Sequence, residues 1–182
     1  MTIFEANGLG IFDVEELTTH GGSLRVFVKK LGAEKVSVSD RVSNIYDQEI
    51  EYKVNSVSFY KDFQKKSEYI KFSLLSFLID ARLKGKKVIA YGAAAKGNTI
   101  INFSGIRSDL ISFVVDRNPN KYGKFMPGSH LPILDESEIE KFKPDYILIL
   151  PWNLKVEVEA QLSYIRDWDG KFVVVVPELK IF

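Results

Sequence analysis

The residues best suited to chemistry in this 182-residue chain concentrate at positions 92–99, Gly-Ala-Ala-Ala-Lys-Gly-Asn-Thr, directly after the apolar run Val88, Ile89, Ala90 and Tyr91. An apolar run that stops at a glycine and restarts as a helix-forming pattern reads as a buried strand, a tight turn and the opening of a helix. A helix start offers unpaired backbone N–H groups and the positive end of its dipole, so an anion such as a pyrophosphate is favoured there. Gly92 and Gly97 can supply the turn and a close backbone approach, and Lys96 adds a mobile positive charge. Ala93, Ala94, Asn98 and Thr99 complete the loop. The spelling Gly-x-x-x-Lys-Gly departs from both the dinucleotide fingerprint and the phosphate loop. Two readings therefore stand side by side: an anion cradle, or a small-residue turn through which helix and strand pack closely.

Other candidates fall where further strands should end. Asp116 lies 24 residues beyond Gly92, close to the roughly 20-residue offset at which an acid reaches a ribose hydroxyl in dinucleotide folds. It can equally cap the turn Asn118-Pro119-Asn120, and Arg117 stands beside it. Trp152 can stack on a base or plug the end of a sheet, and Asn153 can meet a ligand or cap a helix beginning at Leu154. Residues 119–130 are aromatic and glycine-punctuated, the composition of a lid or binding wall. His130 in that segment, and His20 beside Gly21 and Gly22 with Ser23 just beyond, suit either ligand contact or structural hydrogen bonding. No set of nucleophile, base and orienting group assembles from these residues, whereas an independent enzyme should show one.

The composition narrows the field. With 46% hydrophobic residues and 25 basic against 24 acidic side chains, the chain has ordinary globular character, and a net charge of +1 argues against a nucleic-acid partner. No apolar run approaches the roughly 20 residues that span a bilayer, and the first residues do not read as a secretion signal. The expected setting is cytoplasmic, away from membranes. The absence of cysteine excludes thiolate chemistry, and the two histidines are too far apart in sequence to suggest a metal site.

The positioning elements follow from periodicity. A short helical stretch over residues 2–7 leads into strand-like runs over 11–17 and 23–28, an antiparallel hairpin that is marginal without further support. Residues 32–52 read as a polar connection with a short helix near Asp47-Gln48-Glu49, and residues 54–83 as one long helix or two. From Lys86 the chain alternates strands (88–91, 110–115, 146–150, 172–176) with helices (95–104, 136–142, 155–168). The pattern predicts an α/β fold with a Rossmann-like, doubly wound parallel sheet of about four strands. Strand 110–115 should lie at one edge and strand 172–176 at the other, with ligands bound where the winding reverses between the first strand and the third. Three regions result: a hairpin over 1–31, a linker and long helical segment over 32–85, and the sheet domain over 86–182.

Five blocks in this order resemble the C-terminal part of the sugar C-methyltransferases: residues 19–26 (THGGSLRV), 91–99 (YGAAAKGNT), 115–119 (VDRNP), 127–130 (PGSH) and 149–154 (ILPWNL). The resemblance covers nearly the whole chain. It implies a three-part enzyme: a cysteine-rich zinc-binding region, a central S-adenosylmethionine domain, and a C-terminal Rossmann-like domain that helps hold a nucleotide-linked, typically dTDP-linked, keto sugar. This chain has no cysteine cluster, no glycine-rich methyl-donor motif and no upstream Glu-His pair, so it is expected to be a C-terminal piece without catalysis of its own. It should bind no cofactor alone, S-adenosylmethionine belonging to the intact enzyme. The hairpin would then be the last two strands of the central domain, its edge packing on residues 53–84 or pairing with a second copy in a homodimer. The remaining partners implied are the methyltransferase domain, in cis or in trans, and the nucleotide-linked sugar, facing residues 92–99, Asp116 and Asn153, with Arg117, Trp152, His20, Ser23 and His130 as further contacts. Alternatives are a stand-alone nucleotide or coenzyme-binding module, and a purely structural domain packing on the methyltransferase core.

Overall fold

The computed structural model describes residues 1–33 and 37–182. Contacts divide the chain into two compact units, Met1–Phe63 and Gln64–Phe182. Among the described residues no helix is long and apolar enough to cross a membrane.

In the first unit a short helix α1 (Thr2–Ala6) is followed by Gly8 at φ 71°, and the chain enters an antiparallel hairpin of β1 (Leu9–Leu17) and β2 (Ser23–Lys30). The hairpin is longer than the expected runs because Leu9, Gly10, Lys29 and Lys30 join the ladder. Its turn is a 3₁₀ segment over Thr19–Gly21, with His20 at φ 58° and Gly22 at φ 116°. The register slips between Ile11 and Asp13. This β-bulge leaves Phe12 outside the ladder, and its carbonyl accepts the Ser39 N–H at 2.9 Å. The bulge thus ties β1 to the start of α2 (Asp40–Glu51), whose N-cap Ser39 hydroxyl accepts the Arg41 N–H at 3.2 Å. The sequence suggested only a short helix near residues 47–49. The Ser39 cap and Asp40 in the first turn start it seven residues earlier, because a capped, dipole-matched N-terminus sustains a polar helix. Arg41 forks onto the Asp13 carboxylate, and α3 (Val57–Tyr60) closes the unit under a Ser56 cap.

The second unit opens with α4 (Phe63–Leu83), so the helical pattern resolves into a single short turn of helix and one long helix. Leu74, Leu78 and Ala81 form its buried stripe, and Gly85 at φ 68° provides the left-handed stop. The sheet that follows has six strands in the order β5-β4-β3-β6-β7-β8: β3 (Val88–Tyr91), β4 (Val114–Val115), β5 (Ile133–Leu134), β6 (Tyr146–Ile149), β7 (Lys171–Val174) and β8 (Lys180–Ile181). All neighbours are parallel except β7 and β8. The four central strands are those the sequence predicts. The expected edges are corrected, since β5 flanks β4 and β8 flanks β7; a two-residue strand is too short to show periodicity. Within residues 110–115 only the last two are strand, and the expected helix over 155–168 splits into α7 (Lys155–Gln161) and a 3₁₀ segment over Ser163–Trp168.

Alternation along each strand sends side chains to two cores. Val88, Ala90, Leu148 and Val173 face α4 and α5 (Ala95–Ser104), while Ile89, Ile147, Ile149 and Phe172 face α6 (Glu138–Phe142) and α7. From β3 the chain winds outward through β4 to β5, then returns to β6 on the other side of β3. The winding therefore reverses between β3 and β6, at their C-terminal ends.

Candidate functional site at the winding reversal

Gly92 follows β3 at φ 92°, its N–H donating to the Val115 carbonyl at 2.8 Å. A Cβ on Gly92 would sit 2.6 Å from Pro151 Cδ, and one on Gly97 2.6 Å from Leu150 Cβ. Both glycines are therefore required for close approach of the turn and α5 to the end of β6, which bears out the packing reading of their spacing. The cradle reading keeps one support: Ala94, the N-cap of α5, makes no side-chain cap bond, so no capping side chain covers the helix start.

Across the reversal, Lys96 donates to Asn153 Oδ1 at 3.2 Å, and its ammonium lies 5.1 Å from the centre of the Trp152 ring. Trp152 also packs on the second-face core, so it plugs the sheet end while presenting a ring to the turn. Lys96, Trp152 and Asn153, picked from two separate sequence blocks, are thus assembled in one place. Asn153 lies in the 3₁₀ segment Trp152–Leu154 and makes no side-chain cap; the N-cap of α7 is Leu154. Asn98 and Thr99 turn back to their own helix, Asn98 Oδ1 accepting from Asn102 at 3.1 Å and Thr99 Oγ1 donating to the Ala95 carbonyl at 3.0 Å.

Asp116, at the end of β4, is buried and already engaged. Its Oδ2 accepts the Ala93 N–H at 2.8 Å and the Lys121 ammonium at 2.9 Å, and its Oδ1 accepts the Asn118 N–H at 2.9 Å. The turn-capping alternative is realised, with the addition that Asp116 also captures a donor of the glycine turn. Lys121 had no role in the sequence reading. The signal for it was the Asn118-Pro119 turn, which reverses the chain and returns the fifth residue after Asp116.

Arg117 is exposed and donates to Gln161 Oε1 at 3.1 Å, and Gln161 Nε2 donates to the Tyr91 hydroxyl at 3.0 Å and to Glu136 at 2.6 Å. This network lies on the other face of the sheet from α5. Burial pushes the Tyr91 phenol up, against the lowering effect of Gln161. Burial, with Glu136 nearby, raises Tyr164 to about 12.

Residues 119–130 are not a free lid. Phe125 bridges Pro132, Met126 is buried and donates its N–H to Leu131, and Asn102 of α5 donates to the Pro127 carbonyl at 2.9 Å. The segment is a folded arm strapped to α5. His130 sits on it at φ 57°, exposed. His20 and Ser23 belong to the first unit, where Ser23 Oγ closes the hairpin turn by donating to the Thr19 carbonyl at 3.0 Å. A groove of about 330 Å³ between the hairpin and α2 is lined in part by Ser23, Leu24, Gln48 and Tyr52. Among the described residues no group of three or more acidic or histidine side chains could hold a metal ion.

The family profile described as C-methyltransferase C-terminal domain matches residues 18–177. The chain therefore belongs to that family. It is 29% identical over 180 residues to C-methyltransferase NovU of Streptomyces niveus, covering 99% of this chain and 43% of that protein, so it spans less than half the length of this curated relative. The crystal structure of UDP-D-quinovosamine 4-dehydrogenase from Vibrio fischeri aligns with 53% of this chain and 93% of its own at 16% identity and a TM-score of 0.40.

Proposed function

We propose that this chain is the substrate-orienting part of an S-adenosylmethionine-dependent C-methyltransferase, holding the nucleotide portion of a nucleotide-linked keto sugar at a Rossmann-like sheet. The observation that carries this reading is the convergence of Lys96, Trp152 and Asn153 on the start of α5 in a member of a C-methyltransferase family. A cation, an aromatic ring and an amide beside a helix start are the groups that suit a diphosphate and a base. The strand order, renumbered from β3 as 3-2-1-4-5-6, matches the doubly wound dinucleotide fold.

The residues at the turn do not fit S-adenosylmethionine, because Asp116, in place for its ribose, is held by Ala93, Asn118 and Lys121. We assign the methyl donor to the rest of a longer enzyme. There a base would remove the proton alpha to the keto group and the enolate would attack the methyl, with oxyanion charge stabilised locally. The present chain supplies orientation, since binding energy from the remote nucleotide holds the sugar for attack.

Isothermal titration with dTDP tests this. The chain should bind dTDP, and Lys96→Ala should bind it about ten-fold more weakly, the loss of one charge-assisted contact. Identical heats for the two proteins remove Lys96 from the site, and an absence of heat with the unmodified chain overturns the reading. NAD or coenzyme A co-purifying with the protein, detected by mass spectrometry, would replace it with a coenzyme-binding module.

A further inference from the structure

We infer that Lys121 is a positioning residue that fixes the binding turn through a closed polar triangle, and that Asp116 serves this clamp and does not contact a ribose. The triangle has three edges. Ala93 donates its N–H to Asp116 Oδ2 at 2.8 Å, the Lys121 ammonium donates to the same oxygen at 2.9 Å, and it also donates to the Ala93 carbonyl at 2.9 Å. Both backbone polar groups of Ala93, the residue between Gly92 and the N-cap of α5, are thereby held by side chains from beyond the end of the neighbouring strand. The charged partners make these bonds stronger than neutral ones.

The local sequence delivers Lys121 there. Asn118 donates its N–H to Asp116 Oδ1 at 2.9 Å, Asn120 donates its N–H to Asn118 Oδ1 at 3.0 Å, and Pro119 opens a 3₁₀ turn that ends at Lys121. Two nested side-chain turns bend the chain so that residue 121 meets residue 116. The Asp116 side chain is only 12% exposed, and both of its carboxylate oxygens already accept hydrogen bonds from within the chain. A nucleotide at this turn is then read through its phosphates and base, with its sugar hydroxyls left to other groups. The ligand class that fits is a nucleoside diphosphate, not an adenine dinucleotide. This inference rests on the nucleotide-binding reading above, and its test separates the two.

The experiment uses the full chain with Lys121→Met, Lys121→Arg, Asp116→Asn and the double variant Asp116→Asn/Lys121→Met. Hydrogen–deuterium exchange over residues 92–97 is read beside dTDP titration. Lys121→Met should speed exchange over 92–97 while leaving α4, β6 and β7 unchanged, and should weaken dTDP binding about ten-fold. Lys121→Arg should restore part of both. The double variant should bind dTDP no more weakly than either single one, because the two residues act as one unit. Unchanged exchange over 92–97, or equal acceleration across the whole sheet, overturns the clamp. A loss in Asp116→Asn well beyond that of Lys121→Met returns Asp116 to the sugar of the nucleotide and also overturns it. An unmodified chain that binds no dTDP, together with a turn loosened by Lys121→Met, supports the clamp and removes the nucleotide reading.

Discussion

The two units solve the problem of stability differently. In Met1–Phe63 the only buried hydrophobic residues among those described are Val14 and Val42, and one helix leans on a two-stranded hairpin through the Phe12 bulge and the Asp13–Arg41 pair. In Gln64–Phe182 a sheet carries a core on each face, with Leu78, Ile89, Ile147 and Phe172 fully buried. A two-stranded ribbon cannot bury enough apolar surface to hold itself, whereas a sheet covered on both faces can. The candidate site stands on the second unit. Geometry that must be kept to fractions of an ångström belongs on the well-packed layer.

The largest effect should come from Gly92→Ala, which combines a left-handed backbone at φ 92° with a clash at Pro151. A cost of about 2–5 kcal/mol is expected, seen as a drop in the melting of the second unit with the first little changed. Next, Leu78→Ala should cost about 2–5 kcal/mol and Val14→Ala about 1.5 kcal/mol, each read by chemical denaturation. Native-state hydrogen exchange should find β3, β6 and β7 far slower than β1 and β2. Equal protection of the two units would erase the contrast.

A fourth measurement uses pH. Tyr164, raised to about 12, and Tyr91, also raised, keep their protons in the folded chain at pH values where an unfolded chain has lost them. Their contribution is whole below pH 10 and declines as pH rises through the folded values, because the native state then binds more protons than the unfolded one. Ultraviolet titration of phenolate should show a late group that ionises with unfolding of the second unit, reduced by one in each of Tyr91→Phe and Tyr164→Phe. The smallest effect belongs to Arg41→Met. Arg41 holds the Asp13 carboxyl below its ordinary value, so the pair acts above the usual carboxylate range and is lost as pH falls through it. Being exposed, it should change the melting of the first unit only slightly. The difference between Arg41→Met and the unmodified chain should be whole above the ordinary aspartate range and disappear only once pH has fallen far enough below it to protonate Asp13 in the folded chain.

How legible the molecule was in its sequence varies by element. Helix α5 reads clearly because a strand, a glycine turn and Gly105 at φ 70° bracket it, and the central strands read as continuous apolar runs. The edge strands β5 and β8 do not, since two residues carry no period. Lys96, Trp152 and Asn153 were legible as residues at strand ends, and a parallel sheet gathers those ends. Asp116 was legible by spacing, but its partners are a backbone amide and a lysine reached only through a reversal of the chain. No linear pattern separates that arrangement from a ribose ligand.

The sheet of the second unit finishes on both sides in strands of two residues, β5 and β8. Such stubs give an incoming strand almost no ladder to extend. The hairpin is the opposite case. Its strands of nine and eight residues form, among the described residues, a ladder several times longer than either stub could offer, with one margin of β1 already engaged where the Phe12 carbonyl accepts the Ser39 N–H.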